Sequence, residues 1–341
     1  MRILVTGGAG FIGSEFVRRT LEWHSSDQVV VLDKLTYAGN LANLEPVSAD
    51  PRYSFVHGDI SDATVVTSAL EGVDAVVNFA AETHVDRSIL DADAFVRTDV
   101  HGTWVLCEAA RACGVSRFVQ VSTDEVYGAV ESGASLETDR LDPTSPYSAS
   151  KAGGELLVLA SYKTFRLPAL VVRGANAFGP FQYPEKLIPV HITNAIDDQA
   201  LPVYGDGLQR RQWTFVTDFV SGVDTVLRSG AVGEIYNVGN PQSEHELPAN
   251  VELSRRILGL LGKPESLLEF VVDRPAHDRR YRVDVSKLVG LGWRPAWQFW
   301  DGLEATVSWY QEQPEWWRPI KSGARHQEYY EQNYGDRSVF R

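Results

Sequence analysis

A run of aliphatic residues, Arg2–Thr6, passes without a break into Gly7-Gly8-Ala9-Gly10-Phe11-Ile12-Gly13, and a helical pattern over residues 11–24 follows. Gly8, Gly10 and Gly13 satisfy G-x-G-x-x-G, while Gly7, Gly10 and Gly13 satisfy G-x-x-G-x-x-G. Positions without a Cβ let the backbone turn tightly and let a pyrophosphate reach the helix N-terminus, where free N–H groups and the helix dipole favour an anion. Twenty residues beyond Gly13, the next hydrophobic run (28–33) ends in Asp33. A carboxylate there can accept from both hydroxyls of an adenosine ribose and repels a 2′-phosphate, which favours NAD over NADP. Lys34 leaves a small opening for NADP. A glycine turn kept only for packing is the bland alternative. Strand, glycines, helix and acid in this order argue against it.

β-Branched runs recur at 54–57, 75–80 and 118–122, separated by helical patterns that are clearest at 11–24, 64–70 and 92–113. A further strand is expected at 169–173, after a helix that starts near Pro146. This alternation predicts an α/β fold: a Rossmann-type, doubly wound parallel sheet with helices on both faces. Beyond Phe178 the pattern loosens, with turn formers at 179–184 and 204–212. The expectation is a dinucleotide-binding domain over 1–178 and a smaller lobe, mainly 179–321. Segments within 213–238 would return to the first domain. Residues 322–341 are polar with scattered tyrosines and suggest no role.

Composition narrows the function classes. A net charge of −13 disfavours broad contact with a nucleic-acid backbone. No apolar run approaches the roughly 20 residues of a membrane span, and the N-terminus carries no signal-peptide pattern. Cys107 and Cys113 lie about 9 Å apart along one expected helix, too far for a disulfide. No histidine pair accompanies them, so no metal site is expected, and a reduced, cytoplasmic setting fits.

Two further patterns carry chemistry. In Thr144-Ser145-Pro146-Tyr147-Ser148-Ala149-Ser150-Lys151, Ser145 can cap a helix that begins at Pro146. Tyr147 and Lys151 then share one face. A neighbouring ammonium favours the phenolate, so the pair can act as a base on a hydroxyl whose carbon gives up hydride. A lone Tyr-x-x-x-Lys is common on surfaces, but this one follows the fifth strand of a nucleotide-binding sheet. That fifth strand ends in Thr123-Asp124-Glu125. Ligands of open α/β sheets sit at such strand ends. Two carboxyls in one cleft can divide into an acid and a base, as elimination of water requires, although Asp-Glu is more often a solvated turn.

On these residues the chain resembles the extended short-chain dehydrogenase/reductases, and within them the dTDP-glucose 4,6-dehydratase family. The resemblance runs from Met1 to about Trp317. It includes Leu32-Asp33-Lys34-Leu35-Thr36-Tyr37-Ala38-Gly39-Asn40, Gly58-Asp59-Ile60, the stretch from Ala80-Ala81-Glu82-Thr83-His84 to Ser88, and Pro184-Glu185-Lys186-Leu187-Ile188-Pro189. Thr123-Asp124-Glu125 discriminates best, because related 4-epimerases carry small or hydroxyl residues there. The resemblance implies a redox-neutral dehydration of dTDP-glucose to its 4-keto-6-deoxy derivative. Tyr147 would take the 4-hydroxyl proton, assisted by Lys151 and Thr123, while NAD accepts and later returns hydride. Glu125 would remove the C5 hydrogen as Asp124 protonates the departing 6-hydroxyl.

By the same resemblance Gly7, Gly10, Phe11, Ile12, Gly13, Asp33, Lys34, Thr36, Asp59, Ile60, Ala80, Ala81 and Thr98 would join Tyr147 and Lys151 in holding NAD. His84, Thr123, Asn176, Glu185, Lys186, Leu187, Arg211 and His277 would hold the nucleotide sugar. Of these, Arg211 is the natural clamp for a diphosphate. Asn176 taken alone reads as a turn residue, and His277 as structural. A homodimer is implied, through helices near 92–113 and 147–164. Departures from the family pattern fall at Asp99, Ala177, Phe178, Gln212 and 241–246. A nucleotide-sugar 4-epimerase or decarboxylase, a dehydratase of another NDP-hexose, and a non-catalytic NAD-binding sensor are the competing readings. The acid pair argues against epimerisation, no uronate anchor is identifiable, and the retained Tyr–Lys pair argues against a sensor.

Overall fold

Apolar side chains occupy successive positions of Ile3-Leu4-Val5 and Val29-Val30-Val31-Leu32, without polar alternation, and in the computed structural model both faces of these strands are buried. In chain order the strands are β1 (Arg2–Thr6), β2 (Gln28–Asp33), β3 (Tyr53–His57), β4 (Ala75–Asn78), β5 (Arg117–Thr123), β6 (Ala169–Gly174), β7 (Asn176–Phe178), β8 (Leu201–Tyr204), β9 (Trp213–Phe215), β10 (Ile235–Val238) and β11 (Leu268–Val271). Seven of them form one sheet in the order β10-β6-β5-β4-β1-β2-β3, with every pairing parallel. The structure describes residues 1–241 and 247–335. The sequence departure at 242–246 and the end of the tail lie outside them.

Side chains one apart on each strand serve opposite cores. Ile3, Val5, Val29, Val31 and Val77 pack with Phe16 and Val220 from the helices Phe11–Trp23 and Val216–Ser229. Leu4, Val30, Leu32 and Val76 pack on the other face with Leu106 of the helix Thr103–Cys113 and Val158 of the helix Pro146–Phe165. The strand order reverses between β1 and β4, and that reversal opens a crevice at the strand C-termini. β4 ends at Asn78, short of the run expected to 80. The Asn78 side chain donates to the Gln120 side chain at 2.8 Å, and the chain then leaves the sheet so that Phe79, Ala80 and Ala81 border the crevice.

Two local features set the crevice walls. Ser145 caps the helix Pro146–Phe165 by accepting from the Ser148 N–H, and the Ser148 hydroxyl returns a bond to the Ser145 backbone. The helical stretch expected at 92–113 is not uniform: Val96–Gly102 winds as a π-helix between Asp93–Phe95 and Thr103–Cys113. Asp99 lies in that wider turn. Its carbonyl comes so near Gly154 that a Cβ there would stand 2.3 Å away. Cys107 is buried and Cys113 exposed, both as free thiols, and burial pushes the Cys107 thiol up to about 12.

The smaller lobe packs around Phe178, Trp213, Phe215, Phe299, Tyr310 and Trp317, with β7 pairing β9 and β8 pairing β11. After β9 the chain re-enters the main sheet through Val216–Ser229 and the edge strand β10. The tail is folded, as helices Pro314–Ser322 and Ala324–Tyr330 and the turn Glu331–Gly335. Among the described residues no helix is long and apolar enough to cross a membrane.

Arg173 of β6 is buried against Glu155 at 2.6 Å, with side chains 3% and 0% exposed. Removing one partner strands a charge where water cannot reach it. Glu155→Ala is therefore expected to lower the unfolding free energy by about 3–5 kcal/mol in urea titrations. A loss under about 1 kcal/mol, the scale of an exposed pair, would show that the buried ion pair contributes little.

Candidate active site

Every residue assigned from the sequence to catalysis, NAD or the nucleotide sugar lines one cleft, from the glycine turn at one end to His277 at the other. At the first end the turn leaves no alternative to glycine. Gly7 has φ 67°, and a Cβ on it would lie 2.6 Å from the Ala80 nitrogen; a Cβ on Gly13 would lie 2.3 Å from the Gly7 carbonyl. The helix that follows starts from Gly10 with no side-chain cap. Asp33 accepts from the Ala9 and Leu35 N–H groups at 2.9 and 2.8 Å, which fixes the carboxylate at the rim of β2. Lys34 pairs with Asp59 at 2.6 Å, so the cation that left room for a 2′-phosphate is already neutralised. Phe11, Ile12, Thr36, Ile60, Ala80, Ala81 and Thr98 line the same half.

In the middle of the cleft, β5 delivers Thr123 to the start of a short 3-10 turn, Asp124–Tyr127. The Thr123 hydroxyl accepts from the Glu125 N–H at 3.2 Å. Opposite stands the helix carrying Tyr147 and Lys151, with the Lys151 ammonium donating to the Val121 carbonyl at 2.8 Å. Burial, then the neighbouring Glu125, lifts the Asp124 carboxyl to about 8, against the pull of Arg211. Burial also raises Glu125, but Arg274, Arg211 and Lys186 all oppose that rise. The pair is thereby split: Asp124, pushed up to about 8, is the carboxyl that holds its proton, while the cations around Glu125 favour its charged form. The buried Asp124 Oδ2 has no hydrogen-bond partner within the protein.

The effect expected of the Lys151 ammonium on the Tyr147 phenolate meets an opposing environment. Burial, followed by Glu125, Asp99 and Asp124, holds the phenol well above its ordinary range, and the Thr123 hydroxyl opposes this only in part. Burial also lowers Lys151, although Asp99 and Glu155 favour its charged form. Asp99 is itself raised to about 6 by burial, despite Lys151, the Ser150 hydroxyl at 2.6 Å and the Glu82 N–H at 2.9 Å.

At the far end, His84 precedes the helix Val85–Leu90 with φ 84°. Glu185 is committed to protein partners, accepting from Tyr37 and Arg87 at 2.8 Å each. Lys186 donates to Thr83 at 3.3 Å, and Leu187 opens the helix Leu187–Ile196. Asn176, which resembled a plain turn residue, sits in β7 with its buried Oδ1 unpartnered and facing the cleft. The Arg211 guanidinium stacks on Tyr281 at 4.4 Å and donates to the Arg210 and Asp278 carbonyls. His277 bonds to Asp273 at 2.6 Å, as a structural histidine does.

The lining residues that were given no role from the sequence include Arg274, Glu82 and Tyr204. Arg274, whose charge acts on Glu125, belongs to the segment that holds His277 and was within reach. Glu82 lies beside the quoted Ala80-Ala81. Tyr204 stands in a turn-rich stretch with no motif around it.

A family model described as GDP-mannose 4,6 dehydratase matches residues 4–306. A dTDP-glucose 4,6-dehydratase of Streptomyces niveus is 50% identical over 327 residues, covering 94% of this chain and 96% of that protein. The chain belongs to the dTDP-glucose 4,6-dehydratase family. Among solved structures, that of the family member DesIV from Streptomyces venezuelae, with NAD and TYD bound, superposes with a TM-score of 0.91 at 50% identity. It spans 94% of this chain and 100% of that one. The low-salt glycan biosynthesis protein Agl12 of Haloferax volcanii is 51% identical over 310 residues, covering 91% of this chain and 98% of its own.

Departures from the dehydratase pattern have local explanations. Gln212 is buried and fully used, donating to the Asn240 carbonyl at 2.6 Å and accepting from the Val283 N–H at 2.9 Å. Phe178 packs edge-on against Trp213, Phe215 and Phe299. Ala177 lines the cleft wall and packs against the main core. The catalytic end carries none of these three changes. A protonated-carboxyl infrared band should be present at neutral pH, fade as the pH rises through about 8, and be missing from Asp124→Asn. A band that fades in the ordinary carboxylate range instead would reverse the acid and base assignments.

Proposed function

We propose that this protein dehydrates dTDP-glucose to dTDP-4-keto-6-deoxyglucose with NAD, without net oxidation. The observation that carries the reading is the split carboxyl pair at the end of β5, opposite Tyr147 and Lys151. The cofactor half fits NAD: the turn at Gly7–Gly13 has no room for a Cβ, Asp33 is fixed at the ribose position, and Lys34 is spent on Asp59. Gly7, Gly10, Gly13 and Asp33 would hold NAD, which would supply a transient hydride acceptor for C4, a hydride donor for C6, and a positive charge in the cleft.

The remaining steps belong to the side chains. Tyr147 acts as the phenolate, its phenol proton first passing to solvent as Lys151 and the bound cofactor's positive charge offset burial, and it then receives the 4-hydroxyl proton with Thr123 orienting it. The 4-ketone acidifies C5–H, which Glu125 removes as a carboxylate. Asp124 gives its proton to the departing 6-hydroxyl, which leaves as water, and C5 is then reprotonated from Glu125. Arg211, Lys186 and Asn176 face the nucleotide-sugar half, with the guanidinium suited to the diphosphate. A 4-epimerase has no elimination step and no use for a buried, protonated carboxyl beside the reacting sugar.

In this reading residues 1–178 and the returning segments of 213–238 form the cofactor domain, and 179–321 mainly hold the nucleotide sugar. The two free thiols support a reducing, cytoplasmic setting. Val96, Trp104 and Leu156 are 53%, 46% and 54% exposed on neighbouring helices, and a second copy of the chain would cover them. Trp104→Glu is expected to shift the sedimenting species from dimer to monomer, whereas an unchanged species would remove that helix pair from the interface.

The decisive test is mass spectrometry of products from dTDP-glucose and UDP-glucose given separately. Loss of one water from dTDP-glucose without added reductant is expected. Loss from UDP-glucose alone would reassign the base pocket, and C4 inversion without mass change would make the enzyme an epimerase. Tyr147→Phe is expected to cut turnover by about 10²–10⁴-fold while keeping bound NAD. Glu125→Gln should block deuterium exchange at C5 while permitting C4 oxidation. Wild-type exchange in that variant would exclude Glu125 as the base.

A further inference from the structure

Residues beyond Ser322 lie outside both the family match, which ends at residue 306, and the sequence resemblance. They nevertheless reach the cleft. The His326 ring bonds to the Pro184 carbonyl at 2.9 Å, directly before Glu185 and Lys186. The Tyr329 hydroxyl meets His84 Nδ1 at 2.9 Å. The Arg87 guanidinium, ion-paired with Glu185 at 2.8 Å, is sandwiched between the rings of Tyr37 at 3.7 Å and Tyr329 at 3.9 Å. Asn333 donates to the Tyr204 hydroxyl at 2.9 Å, and Tyr334 lines the cleft itself.

We infer that the segment from Ala324 to Gly335 is the outer wall of the nucleotide-sugar half of the cleft, and that its Tyr329 is a positioning residue for His84 and Glu185. The bonding supports a definite direction of action. Burial, then the charges of Lys186, Arg274 and Arg87, keeps the His84 imidazole well below its usual range, hence neutral. The Tyr329 hydroxyl, its phenol raised by burial, shares a hydrogen bond with Nδ1, which also lies 3.6 Å from the Asp86 carboxylate. The ring also bonds the Glu185 backbone. One tail residue thus anchors the His84 ring and completes the cage around the Arg87–Glu185 pair. Both groups carry the loop that presents Lys186 to the ligand. His84 at φ 84° is in a region that non-glycine side chains occupy only when their surroundings hold them there.

The inference rests on the nucleotide-sugar reading of this half of the cleft, and its test keeps the two apart. Full-length Tyr329→Phe, which keeps the ring and loses the hydroxyl, is expected to raise KM for dTDP-glucose and the calorimetric Kd for dTDP by about five-fold. Tyr329→Ala, which also removes the stacked ring, is expected to raise both by roughly thirty-fold. In both, kcat should stay within about two-fold and NAD content should not change. Affinities within two-fold of wild type in both variants, or a fall in kcat at unchanged KM, would overturn the positioning role. If Tyr329→Ala proves unstable, the Phe variant alone decides. Failure of the wild type to convert dTDP-glucose would count against the proposed reaction. The ratio of dTDP affinities between variant and wild type would still decide the role of the tail.

Discussion

Backbone packs on backbone where Gly7 and Gly13 meet each other and Ala80, and the rest of the molecule is arranged around that contact. Any side chain at Gly7 or Gly13 would overlap main-chain atoms, which cannot move without parting β1 from β4. The same contact sets the helix Phe11–Trp23 at the strand ends and places Asp33 and the Phe79–Ala81 backbone on either side of one crevice. Because the strand order reverses there, both halves of the sheet deliver their C-terminal residues to it. Thr123, Asp124 and Glu125 reach the cleft by this route, and so does Asn176 from just beyond β6.

Electrostatics in the cleft work against the charge of the whole chain. A protein with a net charge of −13 gathers Lys186, Arg211 and Arg274 around two buried carboxyls. Those cations act unequally. Three of them oppose the rise of Glu125, while Asp124 has chiefly Arg211 against burial and a like charge next door. A single dipeptide therefore holds an acid and a base at one pH. Asp99 extends the same logic to the oxidation half. It sits in a π-helical turn near Lys151, where burial leaves its own ionisation close to neutrality.

The second lobe is organised by aromatic packing, and the tail uses the same material. Trp316 reaches Asn43 beside the cofactor turn, Trp317 sits in the lobe's core, and Tyr329 and Tyr334 arrive at the cleft. Contacts so far apart in the chain bind lobe, tail and sheet into one wall around the ligand.

From residue order alone came the parallel sheet, the glycine turn with Asp33, the capped helix with Tyr147 and Lys151, and the acid pair at a strand end. Each of these is local: a period of two or 3.6, a cap, or a spacing of a few residues carries it. The ends of β4, the π-helical turn at Val96–Gly102 and the partners of Gln212 depend on neighbours far away in sequence, so no local pattern records them. The upward shift of Tyr147 was missed for the same reason, because it comes from burial and from Glu125, Asp99 and Asp124 converging in space. The cations that oppose the rise of Glu125, Arg274 and Lys186 among them, come from distant parts of the chain. The role of Tyr329 appeared only once folding brought residues 84, 87, 185 and 329 together, because a scattered tyrosine in a polar tail carries no pattern until something packs against it.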